Sequence, residues 1–188
     1  MKKVFQIHGF KGSPNGSWHP WLMSELKKQD IYACALPMPS PDHPYIDKWV
    51  KTITTAIEGP YKDTFLVGHS LGVPTILRYL ETLPSDLKLG GAVLVSGPFH
   101  NLRDNAHKEL DPFFENSFNF EYIKKVCNKF IVIHAIDDTR VPISHAVLLA
   151  NKLGCEVITL PTGGHLTGSE GVYKLPQVLA ELEKMLKE

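Results

Sequence analysis

Gly68-His69-Ser70-Leu71-Gly72 sets a serine between glycines two residues to either side. The run Thr64 to Val67 before it is short and apolar, and Val73 to Leu83 can continue as a helix. The serine therefore falls on a strand-to-helix turn, where its hydroxyl stands clear of the strand end and only glycines leave room around it. A serine hydroxyl is a weak nucleophile at neutral pH. It needs an imidazole as base, and the imidazole needs a carboxylate to fix its tautomer. In this strand–turn–helix setting the partners follow in the order serine, acid, histidine. Phe130 to His134 reads as a strand and runs into Asp137-Asp138, while Val157 to Leu160 runs into Pro161-Thr162-Gly163-Gly164-His165. The candidates are Ser70 as nucleophile, His165 as base and Asp138 as acid. Asp138 is favoured over Asp137 because it lies three residues before Val141-Pro142, with a helix expected to begin at Pro142. Asp137 is better placed to bind turn amides or meet solvent.

Acyl transfer also needs fixed donors for the oxyanion. The Leu71 N–H follows the nucleophile directly, and His8-Gly9-Phe10 after the first apolar run offers the Phe10 N–H, with Gly9 allowing close approach. An ordinary tight turn is the other reading of that loop. His8, His69 and His134 lack a nearby Cys or carboxylate at ligand spacing, and no H-E-x-x-H occurs, so they are expected to be hydrogen-bonded structural residues. Gly9-Phe10-Lys11-Gly12 lacks phosphate-loop spacing, and no G-x-G-x-x-G follows the first strand. No metal and no other cofactor is expected.

The elements that must carry these residues are legible as alternation. Val4 to His8, Ile31 to Leu36, Thr64 to Gly68, Ala92 to Ser96, Phe130 to His134 and Val157 to Leu160 are short apolar runs bounded by turn residues, as fully buried strands are. Between them Ile46, Trp49, Val50, Ile53 and Ile57 keep helical spacing, as do Ile143, Ala146, Val147, Ala150 and Leu153, and finally Val178, Leu179, Leu182, Met185 and Leu186. Pro74 and Pro142 sit where a first helical turn tolerates proline. The expected architecture is α/β, with about six mostly parallel strands and helices on both faces. Gly9-Phe10, Ser70, Asp137-Asp138 and His165 then all follow carboxyl ends of strands, the edge where ligands of open α/β sheets bind. Gly97 to Tyr122 is the least regular stretch and carries Phe99, Phe113, Phe114, Phe118 and Phe120. It reads as a partly helical excursion over one sheet end, its aromatics either filling core or lining, two or three of them, a pocket.

Composition narrows the class. The chain has 188 residues, with 20 Lys and Arg against 20 Asp and Glu, so charge gives no reason to expect nucleic acid or an anionic membrane as partner. Nothing approaches the ~20 apolar residues that span a bilayer. Gln6 and His8 break the first apolar run too early for a signal peptide. Cys34, Cys127 and Cys155 are odd in number and widely spaced, and read as reduced buried thiols. These features lead to the expectation of one domain over residues 1–188 and a cytoplasmic location.

With the motifs assembled, the sequence resembles the α/β-hydrolases, and more closely the small serine hydrolases related to retinoblastoma-binding protein 9, including a YdeN-like branch. The resemblance spans nearly the whole chain. It rests on Ile7-His8-Gly9, Trp18-His19-Pro20-Trp21-Leu22, the Ser70 turn, Leu94-Val95-Ser96-Gly97, Asp137-Asp138 with Val141-Pro142, and Gly163-Gly164-His165. It implies Ser70, Asp138 and His165 as catalytic residues and a sheet without a large lid. An L-x-C-x-E segment is absent: Leu153-Gly154-Cys155-Glu156-Val157 has its glutamate one place early, so a retinoblastoma-type partner is not expected. The expected activity is hydrolysis of small or short-chain carboxylic esters, with a small-molecule acyl substrate held near Phe10 by Trp18, Phe99 and Leu166. A thioesterase or small-peptide hydrolase would use the same residues, and a non-catalytic binding protein is the reading from another class.

Overall fold

Apolar runs rich in Val, Ile and Phe pair best where both faces are covered, and six of them do so here. The computed structural model describes residues 1–59, 61–102, 105–127 and 129–187, the side chains of 105 and 106 excepted. The strands are β1 (Lys3–Ile7), β2 (Tyr32–Ala35), β3 (Thr64–His69), β4 (Gly91–Val95), β5 (Phe130–Ala135) and β6 (Glu156–Leu160). They form one wholly parallel sheet in the order β2-β1-β3-β4-β5-β6. The helices are α1 (His19–Lys27), α2 (Ile46–Ala56), α3 (Gly72–Thr82), α4 (Phe120–Val126), α5 (Ile143–Leu153) and α6 (Pro176–Lys187).

Alternation along each strand divides the core into two layers. Phe5, Leu66, Leu94 and Val132 face Trp49, Ile53, Leu77, Ile123 and Leu149 of α2 to α5. Val4, Phe65, Val67, Val93 and Ile133 face Leu22 and Leu26 of α1 and Val178 and Leu182 of α6. Only the four inner strands are buried throughout, or nearly so. β2 and β6 are half-exposed, since an edge strand has a neighbour on one side only. For the same reason Cys34 and Cys155 are half-buried rather than buried, while Cys127 is fully enclosed.

Several helix ends follow from proline and glycine chemistry. Pro74 occupies the first turn of α3, where its missing N–H costs no intrahelical bond. Pro142 is not the first residue of α5, as expected, but its N-cap, with φ −57° and ψ 143°. The ring fixes φ only, and the extended ψ lets the chain come in from the Asp138 loop. Gly154 closes α5 in the left-handed region at φ 71°, its N–H bonded to Ala150 O at 2.8 Å. Spacing alone did not single out α1 or α4, which are nine and seven residues long, too short to establish a period.

The irregular stretch after β4 contains a 3₁₀ segment, Asn105–Phe113, and leads into α4; residues 103 and 104 lie outside the described residues. Its aromatics serve mainly the core. Phe113 meets Trp49 edge-on at 5.8 Å, and Phe118 lies under the Arg78 guanidinium at 4.0 Å. Among the described residues no helix is long and apolar enough to cross a membrane.

Central and edge strands should differ in tolerance to truncation. Leu66→Ala, in a site with no exposed surface, is expected to cost about 2–5 kcal/mol. Ile158→Ala, on the half-exposed edge, should cost less than about 1.5 kcal/mol. Urea unfolding midpoints at constant m-value measure both.

Candidate active site

The chain leaves β1 to one side to form β2, then crosses to the other side of β1 to form β3, so the connections diverge between β1 and β3. That divergence opens a crevice at the carboxyl ends of the two strands. Ser70 stands there directly after β3, with φ 54°, a conformation that a non-glycine residue adopts only when the surroundings hold it. Its N–H bonds Val95 O at 2.9 Å, and the Val73 N–H returns to Ser70 O at 3.0 Å. The flanking glycines are required by contact. A Cβ on Gly68 would lie 2.9 Å from the Gly72 carbonyl, and one on Gly72 would lie 2.2 Å from Ile7 O. On the β1 side a Cβ on Gly9 would meet Ser70 Cβ at 2.7 Å.

A hydrogen-bonded row runs from Ser70 into the protein. Ser70 Oγ is 2.8 Å from His165 Nε2, and His165 Nδ1 is 2.8 Å from Asp138 Oδ2. A carboxylate can only accept, so Nδ1 carries the proton and Nε2 turns its lone pair to the Ser70 hydroxyl. Asp138 Oδ1 accepts the Arg140 and Val141 N–H groups at 2.9 and 3.0 Å. His134 Nε2, which donates to Val141 O at 2.8 Å, also lies 3.3 Å from Asp138 Oδ2. Burial alone would raise the Asp138 pKa. The hydrogen bonds from His134, His165 and the Val141 amide outweigh it and hold the carboxyl well below the usual carboxylate range. The row is polarised toward the serine.

Side chains on both sides fasten the backbone that presents His165. Asp137 accepts the Gly163 and Gly164 N–H groups at 3.2 and 2.8 Å. His69 Nε2–H donates to His165 O at 2.8 Å, and Trp18 Nε1–H donates to Leu166 O at 3.0 Å. Leu166 itself sits at φ 54°. Trp18 and Leu166 were expected to line a substrate pocket. Both are instead buried in the core layer of α1 and α6, where an indole N–H must find an acceptor and the Leu166 carbonyl supplies it. Phe99 also stands outside the cleft, packed edge-on against Phe120 and His145. His69 and Trp18 are positioning groups that spacing did not reveal, because their partners lie far off in the chain; His134 is a third, its partners Val141 and Asp138 lying close by on the loop after β5.

The cleft above Ser70 has a volume of about 1220 Å³. Phe10, Leu71 and His165 line it; of the phenylalanines in the irregular stretch, Phe114 alone does. Leu71 is the N-cap residue of α3. Among the described residues neither its N–H nor that of Phe10 is engaged in a hydrogen bond. His8 is fixed by Gly9 O at 2.9 Å and the Met38 N–H at 3.3 Å. Burial keeps it neutral and drives His69 well below the ordinary histidine range. His19 is pushed down to about 3, by burial and then by His8. His145 is pushed down to about 4, by burial and then by His100 and His134.

A parallel sheet with this strand order, a strained serine at its switch point and an acid and histidine after the last two strands is the α/β-hydrolase arrangement. A sequence model for the serine hydrolase family matches residues 4–184, and the chain belongs to that family. It is 36% identical to the protein named as hydrolase YdeN of Bacillus subtilis strain 168, over 94% of this chain and 92% of that one. The crystal structure of the B. subtilis ydeN gene product superposes with a TM-score of 0.95 at 34% identity, covering 100% of both chains. The serine hydrolase RBBP9 of Rattus norvegicus is 25% identical over 81% of this chain and 80% of its own length. The protein is an enzyme of the hydrolase class.

Neutral buried histidines make stability fall with acid. The unfolded chain binds protons at these residues near pH 6.5, whereas the folded chain does not until about pH 4 at His145 and about pH 3 at His19. Stability should be intact above about pH 6.5 and fall steadily below it, His19 alone adding up to about 1.4 kcal/mol per pH unit. Urea titrations between pH 7.5 and 4 test this, and His19→Gln should flatten the slope.

Proposed function

We propose that the protein hydrolyses small or short-chain carboxylic esters through an acyl-enzyme, with Ser70 as nucleophile, His165 as general base and acid, and Asp138 as orienting carboxylate. The observation that carries this reading is the row of 2.8 Å hydrogen bonds from Ser70 Oγ through His165 to Asp138, opening into the cleft. As Ser70 Oγ attacks the carbonyl carbon, its proton passes to His165 Nε2. Asp138 stabilises the imidazolium that forms but stays ionised. The free N–H groups of Phe10 and Leu71 receive the oxyanion, and the start of α3 adds its positive dipole end. The imidazolium then protonates the leaving alcohol, and a water activated by the same nitrogen releases the acid. Acidification lowers the rate because a protonated His165 has no lone pair for the Ser70 proton. Phe10, Leu110 and Phe114 give part of the cleft an apolar wall suited to a short acyl chain.

A fluorophosphonate probe should label folded protein at Ser70, with Ser70→Ala and His165→Ala both silent. Absence of label on the folded wild type would remove the covalent mechanism. Asp138→Asn should lower kcat by about 10⁴-fold, because an amide reverses the imidazole tautomer. Asp137→Asn touches only the Gly163 and Gly164 amides and should cost about tenfold or less. Ester kinetics of the two variants rank the acids, and the opposite ranking would overturn the assignment of Asp138.

A further inference from the structure

His19 is buried, with 1% of its surface exposed, yet it is among the residues that line the cleft holding Ser70. Its tautomer is fixed from behind. Gln6 Nε2 donates to His19 O at 3.4 Å, which leaves Gln6 Oε1 to accept the His19 Nδ1–H at 2.9 Å. Nε2 therefore carries a lone pair, and among the described residues it has no hydrogen-bond partner. Burial keeps the ring from protonating and turning that acceptor into a donor. An unpaired buried acceptor is costly unless something that enters the site satisfies it.

Its position indicates which part of a substrate it meets. The His69 ring stands between those of His165 and His19, at centroid distances of 5.2 and 6.3 Å, and Trp18 Nε1–H bonds Leu166 O, so His19 lies on the side of the cleft formed by the loop that carries His165. The leaving group is the part that His165 Nε2 must protonate. On this flank the cleft is lined by Ser13, Asn15, Ser17, Thr167 and Ser169, and the Gly168 N–H binds Ser17 Oγ at 3.0 Å to join the two loops. Leu102, Leu110 and Phe114, by contrast, are apolar. The cleft thus offers apolar side chains to an acyl chain and, on the loops beside His165, hydroxyl and amide groups to a polar leaving group.

We infer that His19 Nε2 accepts a hydrogen bond from a hydroxyl on the leaving alcohol, so that the preferred substrates are short acyl esters of polyols. The inference rests on the ester-hydrolase reading above and narrows it. Two substitutions separate the His19 nitrogens. His19→Asn keeps an N–H for Gln6 and removes the acceptor at Nε2, whereas His19→Gln places an amide oxygen near Nε2.

The test compares kcat/KM for 1-monobutyrin and for propyl butyrate, which share an acyl group, by titration of released butyrate. Wild type should prefer 1-monobutyrin by at least about tenfold. His19→Asn should bring the ratio near one, and His19→Gln should restore part of it, with fluorophosphonate labelling of Ser70 retained in both. A wild-type ratio near one, or a ratio unchanged in His19→Asn because a bound water satisfies Nε2, would overturn the inference while leaving the ester reading intact. Failure to hydrolyse either ester together with failure to label Ser70 would overturn the ester reading itself.

Discussion

The carboxyl ends of β1 and β3 must lie flush, and most of the site depends on that contact. Parallel register pairs Ile7 with Gly68. The turn after β3 then has to pass within touching distance of the Ile7 carbonyl, where a Cβ at residue 72 would stand 2.2 Å from the oxygen. No side chain fits, and no sliding of one strand relieves the clash without breaking the ladder. The same contact brings Gly9 against Ser70, so the loop carrying the Phe10 N–H and the turn carrying the Leu71 N–H meet at one place. Strain at Ser70 is held by the central strands, which are buried on both faces and tolerate little movement.

Charge is rationed around this turn. Several histidines are buried within a few ring contacts of one another, and burial keeps His8, His19, His69 and His145 from protonating at neutral pH. Asp138 is the exception, a buried group kept ionised by the donors turned toward it. A single anion among neutral rings lets the developing positive charge on His165 find its stabilisation in one direction. It also makes the protein sensitive to acid, because the same rings would charge freely once unfolded. Stability and the proposed chemistry draw on one arrangement.

The way His165 is held shows how a long-range structure gives a short-range distance. Its loop is bonded by side chains from the end of β3, from the start of α1 and from after β5, through His69, Trp18 and Asp137. None of these touches the Ser70 hydroxyl. Their effect is to leave the imidazole one placement, at 2.8 Å from both Ser70 Oγ and Asp138 Oδ2. Trp18 illustrates the gain over a reading by residue type: an aromatic near a loop suggests a pocket wall, but its N–H is spent on a backbone carbonyl inside the core.

The sequence alone determined the strand–helix alternation, the parallel class of the sheet and the placement of Ser70, Asp138 and His165 after strand ends. These follow from local rules: short apolar runs bounded by turn residues, period-3.6 spacing in the helices, glycines where a side chain cannot fit, and prolines where an N–H is not needed. It could not decide what depends on groups distant in the chain. Edge strands look as apolar as central ones until the strand order is known, which is why β2 and β6 proved half-exposed. Whether Trp18, Phe99 and Leu166 face the cleft, and which nitrogen of His19 is left unpaired, depends on side-chain direction and on partners more than a hundred residues away in some cases, as Trp18 and Leu166 show. Tertiary packing settles those, because a buried polar atom takes whichever partner the fold brings to it.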